Sequence, residues 1–276
     1  MTVLSALYAA QPLVVWVEDE DTRRVLTTAW AGESVAIYVG GGNETIRAVV
    51  EDAWRDGLRH VFGVVDRDFG HSNSGRWQNP GDDLRVYVLE SPEIENLALD
   101  PEALAACAYN TGRRSKEQIE ERMIEAVTCM VWWMACCAVL DTVRRQRNAD
   151  FPTYPPKSAA VVGLASALQY IQSSRWFSQH AAQLPSMATR DWLEVELNRQ
   201  QNHFSTALTH GTWKTKFSGK QIFDRVVEFV HTKGIGRDKK LELLQGVVQA
   251  QINLGKIPQE LDRLKASLFS RRRTNT

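Results

Sequence analysis

Short apolar runs alternate with amphipathic segments over the first hundred residues of this 276-residue chain, and this alternation constrains the fold more than any other feature. Four runs have the length of buried strands: 13–17, 35–39, 61–65 and 84–89. The segments 20–30 and 43–57 between them have helical spacing. Strands that alternate with helices form a parallel sheet. The sequence therefore predicts an α/β fold with helices flanking the sheet.

From about residue 111 the strand pattern stops and helical spacing takes over. The segment 115–147 predicts one or two helices with an apolar centre, and the segment 151–156 interrupts it with three prolines. Five later segments also have helical spacing: 158–173, 188–206, 219–232, 238–254 and 257–269. We expect an α/β domain over residues 1–110 and a mainly helical part over residues 111–276.

Acidic side chains follow two of the predicted strands at the points where those strands end. Glu18 follows the first run, and Asp66 and Asp68 follow the third. In a parallel sheet these carboxylates lie side by side at the carboxyl edge, where open α/β sheets bind ligands. Gathered carboxylates repel one another unless a cation lies among them, and hard oxygen ligands favour Mg²⁺ or Mn²⁺. The pattern predicts a site for one of these metals.

The formal net charge is zero, but it is divided unevenly along the chain. Residues 1–105 contain 18 acidic and 8 basic residues, and residues 106–276 contain 15 acidic and 25 basic residues. An acidic metal-binding half joined to a basic half suits an enzyme that acts on a polyanion, since bases hold phosphates that carboxylates repel. Solvated helix faces explain the same charges, so composition leaves both interpretations open.

The cysteines indicate a reduced, intracellular protein. Cys107, Cys129, Cys136 and Cys137 include no C-x-x-C pair, and three of them lie in one apolar stretch. The N-terminus lacks the basic and long apolar regions of a signal peptide. The apolar stretch 129–140 is only about a dozen residues long, which is too short to span a bilayer. We expect a cytoplasmic protein that does not bind a membrane.

Three acidic motifs occur in order within residues 12–100: Val17-Glu18-Asp19-Glu20-Asp21, Asp66-x-Asp68 and Glu93-x-Glu95-Asn96. Together they resemble a Toprim domain, the metal-binding module of primases, topoisomerases and the overcoming-lysogenization-defect nucleases. The segments 63–69, 92–97 and, much later, 217–221 are most similar to the Toprim nuclease effector of the PARIS anti-phage system. In that system the nuclease is paired with an ABC-type ATPase.

The resemblance implies roles for particular residues. Glu18 matches a glutamate assigned to metal binding or proton transfer, and Asp66 and Asp68 match the pair that holds a divalent cation. Glu93 and Glu95 match an acidic pair that helps to hold a second ion. Two cations about 4 Å apart can activate a water molecule and stabilise the leaving oxygen of a phosphodiester.

Lys220 lies in the late motif Phe217-Ser218-Gly219-Lys220-Gln221. If that motif folds back to the site, Lys220 matches a lysine that faces the phosphate in the transition state, where its charge neutralises the phosphoryl oxygens. A solvated lysine at a helix start is the plainer interpretation. One departure from the family pattern concerns Asp19 and Thr22, which stand where Toprim nucleases usually have Gly and an acid. The adjacent Asp21 is therefore a weaker candidate ligand.

The function implied by the resemblance is metal-dependent hydrolysis of phosphodiester bonds, with RNA, and tRNA in particular, favoured over DNA. The enzyme is expected to act as the toxic effector of an anti-phage system, held inactive by the ABC-type ATPase. We expect the active form to be a homodimer, assembled through the apolar helix around Trp132 and Trp133. These two tryptophans are more often core or subunit-interface residues than a platform on which bases stack.

Each acidic motif also has a structural interpretation. The acids at 18–21 can cap the following helix, because negative charge in a first turn favours the helix dipole. Asp66 and Asp68 can be turn residues before the polar, Gly- and Asn-rich loop 70–83. Glu93 and Glu95 can begin a helix.

Two other functions fit parts of the sequence. A response-regulator receiver begins with a similar acidic pair and carries its phosphorylated aspartate after the third strand, where Asp66 lies. The phrase that usually follows that aspartate is missing here, and Glu93 and Glu95 have no use in a receiver. A catalytically inactive Toprim scaffold, which binds a partner through its helical half, is the other alternative.

Overall fold

The computed structural model describes residues 8–67, 77–147, 161–174, 177, 186–187, 189–231 and 237–273, and the statements below refer to these residues. The first part of the chain forms β1 (Val14–Val17), α1 (Glu20–Ala29), β2 (Ala36–Val39), α2 (Asn43–Arg55), β3 (Val61–Val65), β4 (Val86–Val88), a 3₁₀ helix (Ile94–Ala98) and α3 (Pro101–Ala106). The later part forms α4 (Lys116–Arg147), α5 (Leu164–Ser173), α6 (Arg190–Thr209), a 3₁₀ helix (Trp213–Thr215), α7 (Gly219–Val230), α8 (Arg237–Asn253) and α9 (Gln259–Phe269).

The four strands form one parallel sheet in the order β2-β1-β3-β4. Val17, the last residue of β1, pairs with Val39 on one side and Val64 on the other. The connection after β1 leads to one neighbour of that strand and the connection after β2 leads to the other. The order in which strands are added to the sheet therefore reverses between β1 and β3, and open sheets bind ligands at such a point. The predicted α/β fold and its four strands are confirmed.

Successive residues of β1 and β3 are apolar, and their side chains point to opposite faces of the sheet. Both faces of the sheet must therefore be covered. All five residues of β3 are buried, as a parallel strand with helices on both sides requires. Helix α2 packs against β1 and β3, and its side chains Ile46, Val50 and Trp54 are buried. The helix approaches closely over Gly63, where an added Cβ would lie 2.5 Å from Ile46 Cγ2.

The later helices belong to two compact units. One unit contains the described residues up to Glu120 together with those from Gly219 onward, and the other contains those from Glu121 to Ser218. This division differs from the boundary predicted at residue 110, because α8 packs on α1 and α3 while α7 packs on the 3₁₀ helix Ile94–Ala98. Sequence spacing predicts each helix, but it does not show which surface an apolar helix face covers. The sheet unit thus acquires three helices from the end of the chain.

The second unit is helical. Its members include α5 and α6, which pack together, and the rings of Phe204 and Phe217 lie 5.2 Å apart in an edge-to-face arrangement. Helix α4 is a single helix of 32 residues, where the sequence left one or two open. By length and composition alone, α4 is the one helix among the described residues that is long and apolar enough to cross a membrane. However, 67% of its apolar window is buried inside the protein, which favours the core helix of a soluble protein.

The structure also tests the expectations for the tryptophans of α4 and for the later helices. Trp133 is 2% exposed, so it is a core residue, whereas Trp132 is half-buried. The later helices were predicted correctly within several residues at each end, as far as they lie in the described part of the chain. The 3₁₀ helix Ile94–Ala98 and the short helix α3 were not predicted. Of the polar loop 70–83, residues 70–76 lie outside the described residues, and the indole of Trp77 is buried and donates to Val88 O at 3.0 Å.

We predict that Gly63→Ala lowers the free energy of unfolding by about 2 kcal/mol, because the new methyl group would collide with Ile46 in a closely packed layer. Chemical denaturation monitored by circular dichroism measures this change. In an Ile46→Ala background the same substitution should cost less than about 1 kcal/mol, since the colliding group is gone. An equal cost in both backgrounds would contradict the proposed contact.

Candidate metal centre

Glu18 and Asp66 lie at the ends of neighbouring strands. Glu18 directly follows β1 and Asp66 directly follows β3, and the pairing of Val17 with Val64 brings these two strand ends level within about one residue. The carbonyl oxygen of Glu18 accepts a hydrogen bond from the backbone N–H of Gly41 at 3.1 Å, which fixes the backbone at this edge. The order of the strands thus places both acids at the position where the connections diverge.

The carboxyl group of Asp66 is the centre of the acidic cluster. Its Oδ1 atom is buried and has no hydrogen-bond partner. Burial raises the pKa of Asp66 well above its ordinary value, and four carboxylates raise it further: those of Glu95, Glu18, Asp19 and Glu93. This mutual repulsion shows that acids from three distant segments of the chain converge on one region. Such a group is stabilised by either protons or a cation.

Glu95 carries the second isolated oxygen. It lies in the 3₁₀ helix Ile94–Ala98 with 1% of the residue exposed, and its Oε1 atom has no hydrogen-bond partner. Burial and then the charge of Glu93 raise the pKa of Glu95 to about 8, and Asp21 acts in the same direction while Lys220 opposes it. At neutral pH this side chain therefore retains a proton that a glutamate in water has lost.

Lys220 returns to the acidic cluster from the late motif. Its backbone N–H donates to Glu93 Oε2 at 2.6 Å, and its Nζ atom lies 3.8 Å from Asp19 Oδ2. Partial burial lowers the pKa of Lys220, but the carboxylates around it outweigh this effect, beginning with Glu95 and Asp19, and raise the pKa. The amine therefore remains a cation beside the acids.

Asn96 and Gly219 fix the start of α7 against the 3₁₀ helix. The side-chain oxygen of Asn96 accepts from Gly219 N at 3.1 Å and from Glu93 N at 3.0 Å. A Cβ on Gly219 would lie 2.4 Å from both Asn96 N and Asn96 Oδ1, so the two backbones meet at a distance that only glycine permits. This contact sets the position of Lys220.

The acids at the start of α1 differ in role: some stabilise the helix, and others act on the charged groups of the site. Asp19 is the N-cap, and its Oδ1 accepts from both the N–H and the hydroxyl of Thr22 at 2.9 Å. Glu20 pairs with arginines one turn along the same helix, Arg23 and Arg24. Asp21 raises the pKa of Glu95 and of Lys220, so its charge acts on the site.

Glu93 has a positioning role in this arrangement. It is the N-cap residue of the 3₁₀ helix, and its Oε2 atom accepts a hydrogen bond from the backbone N–H of Lys220, the second residue of α7. The interpretation of Glu93 as a helix-terminus residue is therefore realised in the structure. Asp68, the second member of the Asp66-x-Asp68 pair, lies outside the described residues.

The donor set fits a hard divalent cation. Asp66 Oδ1 and Glu95 Oε1 are buried carboxylate oxygens with no hydrogen-bond partner, and Glu18 lies in the same cluster. Magnesium and manganese prefer oxygen ligands of this kind. Among the described residues, no three His, Cys, Asp or Glu side chains already form a group that could hold a metal ion. The carboxylates would have to turn toward a common ion when it binds.

The sequence analysis missed two charged residues near the site, Lys240 and Asp224. Lys240 of α8 lies with its Nζ atom 3.9 Å from Glu95 Oε1 and 2.6 Å from Asp224 Oδ1. Lys240 lies in α8 and Asp224 lies in α7, and neither is part of a sequence motif, so no signal in the sequence marks them. Asn96 was part of a quoted motif, but its contact with Gly219 depends on the folded chain.

The segment between β4 and the 3₁₀ helix is held from the other side by α9. Glu260 accepts hydrogen bonds from Glu90 N at 2.6 Å, from Ser91 N at 3.1 Å and from Ser91 Oγ at 2.6 Å. Burial raises the pKa of Glu260, and these hydrogen bonds act in the opposite direction. The last helix thus fixes the strand end that leads to Glu93 and Glu95.

Comparisons of this chain with protein-family models, with curated proteins and with solved structures found no match. The functional argument therefore depends on the residues of the site itself.

We predict that Glu95→Gln raises the free energy of unfolding by about 2 kcal/mol at pH 7.5 without metal. Between the ordinary value of 4.5 and the value of about 8, the native glutamate holds a proton that the unfolded chain releases, so the wild type loses stability as the pH rises through this interval. Gln removes that loss, and the gain should vanish below about pH 4.5.

Denaturant titrations at a series of pH values measure this difference. Glu20→Gln is the matched control, because arginines lower the pKa of Glu20, beginning with the hydrogen bond from Arg23. This control should destabilise the protein by up to about 1 kcal/mol at pH 7.5. A Glu95→Gln protein that is less stable than the wild type at pH 7.5 would refute the raised pKa of Glu95.

Proposed function

We propose that this chain is a metal-dependent endonuclease that hydrolyses phosphodiester bonds. The single observation that carries the proposal is the convergence of acids from three distant segments with one lysine, including two buried carboxylate oxygens that have no hydrogen-bond partner. A permanent excess of buried negative charge is costly to a fold, so its presence at a ligand-binding edge favours a bound cation. The resemblance to Toprim nucleases supports the same conclusion.

Each side chain has a role in this proposal. Glu18, Asp66 and Glu95, with Asp68 from the adjoining segment, would hold Mg²⁺ or Mn²⁺ through carboxylate oxygens. The bound ions supply water activation and stabilisation of the leaving oxygen. Glu18, which follows β1 at the point where the connections diverge, would also accept a proton at the reacting centre.

Lys220 would act on the substrate. Its raised pKa keeps the amine charged, and a cation beside the scissile phosphate neutralises charge that develops on the phosphoryl oxygens. Glu93 and Asn96 hold the backbone at Lys220 and Gly219, so they position the lysine. Because these contacts already hold the backbone of Lys220, the lysine would need no large chain movement before the reaction.

The biological role follows from the family resemblance. We propose a toxic effector of an anti-phage system that cleaves RNA, tRNA in particular, in the cytoplasm. An enzyme of this kind must be silent in healthy cells, so an ABC-type ATPase partner would hold it inactive until infection. The active form would be a homodimer, and the half-buried Trp132, rather than the core residue Trp133, is the candidate for its interface.

We predict that Asp66→Asn and Glu18→Gln each reduce nuclease activity at least about 100-fold, because both remove carboxylate charge from the metal site. Cleavage of purified tRNA, other RNA and DNA with Mn²⁺ or with EDTA measures this loss. Glu20→Gln, whose carboxylate pairs with Arg23 and Arg24, is the control and should keep full activity.

Intact nucleic acids with the wild-type protein, in the presence of metal and of the triggered ATPase partner, would overturn the nuclease proposal. Acetyl phosphate with Mg²⁺ then separates the alternatives. Stoichiometric phosphorylation of Asp66 would indicate a receiver. Failure to bind metal with intact partner assembly would indicate a scaffold.

We predict that Lys220→Met lowers kcat about 100-fold while Mn²⁺ affinity stays at least as high, because the lysine acts on the phosphate. Gly219→Ala should lower kcat about 10- to 100-fold with Lys220 intact, since the added methyl group displaces the start of α7. Single-turnover cleavage and Mn²⁺ calorimetry measure these two quantities. Equal losses of metal affinity and kcat would contradict the separate role of Lys220.

A further inference from the structure

Lys240 is a second lysine beside the acidic cluster. It lies in α8, its side chain is 16% exposed, and its Nζ atom lies 3.9 Å from the isolated Oε1 atom of Glu95. The side chain of Glu95 is 1% exposed, so water does not screen this interaction effectively. At 3.9 Å the amine compensates charge on Glu95 whenever this carboxyl group is ionised, but it forms no hydrogen bond, so the oxygen stays available to another ligand.

A second carboxylate holds the same amine. Asp224 Oδ1 lies 2.6 Å from Lys240 Nζ, and the side chain of Asp224 is 49% exposed. Asp224 belongs to α7 and lies one turn after Lys220, so both residues share one face of that helix. The amine therefore lies between a buried acid at the site and a half-exposed acid at its rim.

We infer that Lys240 is an internal counter-charge for Glu95 that competes with the metal ion, and that Asp224 retains the lysine when the ion binds. The inference rests on the proposed function, since it assigns a role at the same metal site. A divalent ion near Glu95 and the Lys240 ammonium repel each other across a few ångströms of poorly screened space. The lysine thus stabilises ionised Glu95 in the metal-free protein and weakens metal binding.

The first experiment measures the affinity for Mn²⁺ by calorimetry on the full chain. Lys240→Met keeps most of the apolar stem and removes the charge, and it should tighten Mn²⁺ binding about tenfold. Lys240→Arg keeps the charge and should bind Mn²⁺ within about threefold of the wild type. Lys239→Met is the matched control on an exposed neighbour and should leave the affinity unchanged.

The second experiment tests Asp224 through a double-mutant cycle. Asp224→Asn leaves Lys240 to interact with Glu95 alone and should weaken Mn²⁺ binding about threefold. Combined with Lys240→Met, the same substitution should have no further effect, because the lysine through which it acts is gone. An equal effect in both backgrounds would overturn the role of Asp224.

A metal-free measurement tests the counter-charge directly. Lys240→Met should lower the melting temperature by about 3 °C in EDTA at pH 9, where Glu95 is ionised, and by less in a Glu95→Gln background, where only the pair with Asp224 is lost. Unchanged or weaker Mn²⁺ binding by folded Lys240→Met protein would overturn the inference while the proposed function stands. Absence of Mn²⁺ binding by the wild type would overturn the proposed function and the competition together.

Discussion

Repulsion among carboxylates at the end of β1 and β3 is the constraint around which this fold is arranged. Asp66 is buried where Glu95 and other carboxylates raise its pKa, and Asp66 and Glu95 each have a buried oxygen with no hydrogen-bond partner. Folded proteins tolerate such an arrangement when a function requires it and when nearby cations limit its cost. Lys220 and Lys240 supply positive charge here, and both come from helices near the end of the chain.

The helices α7, α8 and α9 are therefore part of the site as much as the sheet is. Helix α7 brings Lys220, α8 brings Lys240, and α9 holds the segment after β4 through Glu260. Each helix buries an apolar face within the sheet unit, so hydrophobic packing fixes where the charges lie. This explains how residues separated by more than 120 positions, such as Asn96 and Gly219, meet at a backbone-to-backbone contact.

The two lysines have different surroundings and hence different proposed tasks. Lys220 is held through its backbone by Glu93, and its side chain is 48% exposed beside Asp19, which leaves it accessible to a substrate. Lys240 is mostly buried between Glu95 and Asp224, which leaves little room for a substrate contact. Accessibility therefore separates a lysine suited to a phosphate from one suited to balancing an internal charge.

The sequence by itself determined the four strands, most helices and the edge at which Glu18 and Asp66 lie. Apolar periodicity and strand-end position are local properties that side-chain spacing records directly. Only the tertiary structure decided that Glu93 holds the start of α7, that Gly219 fits against Asn96 and that Lys240 faces Glu95. These contacts depend on which surfaces the apolar helix faces pack against. That packing is set by the shape and burial of the whole unit rather than by any short segment.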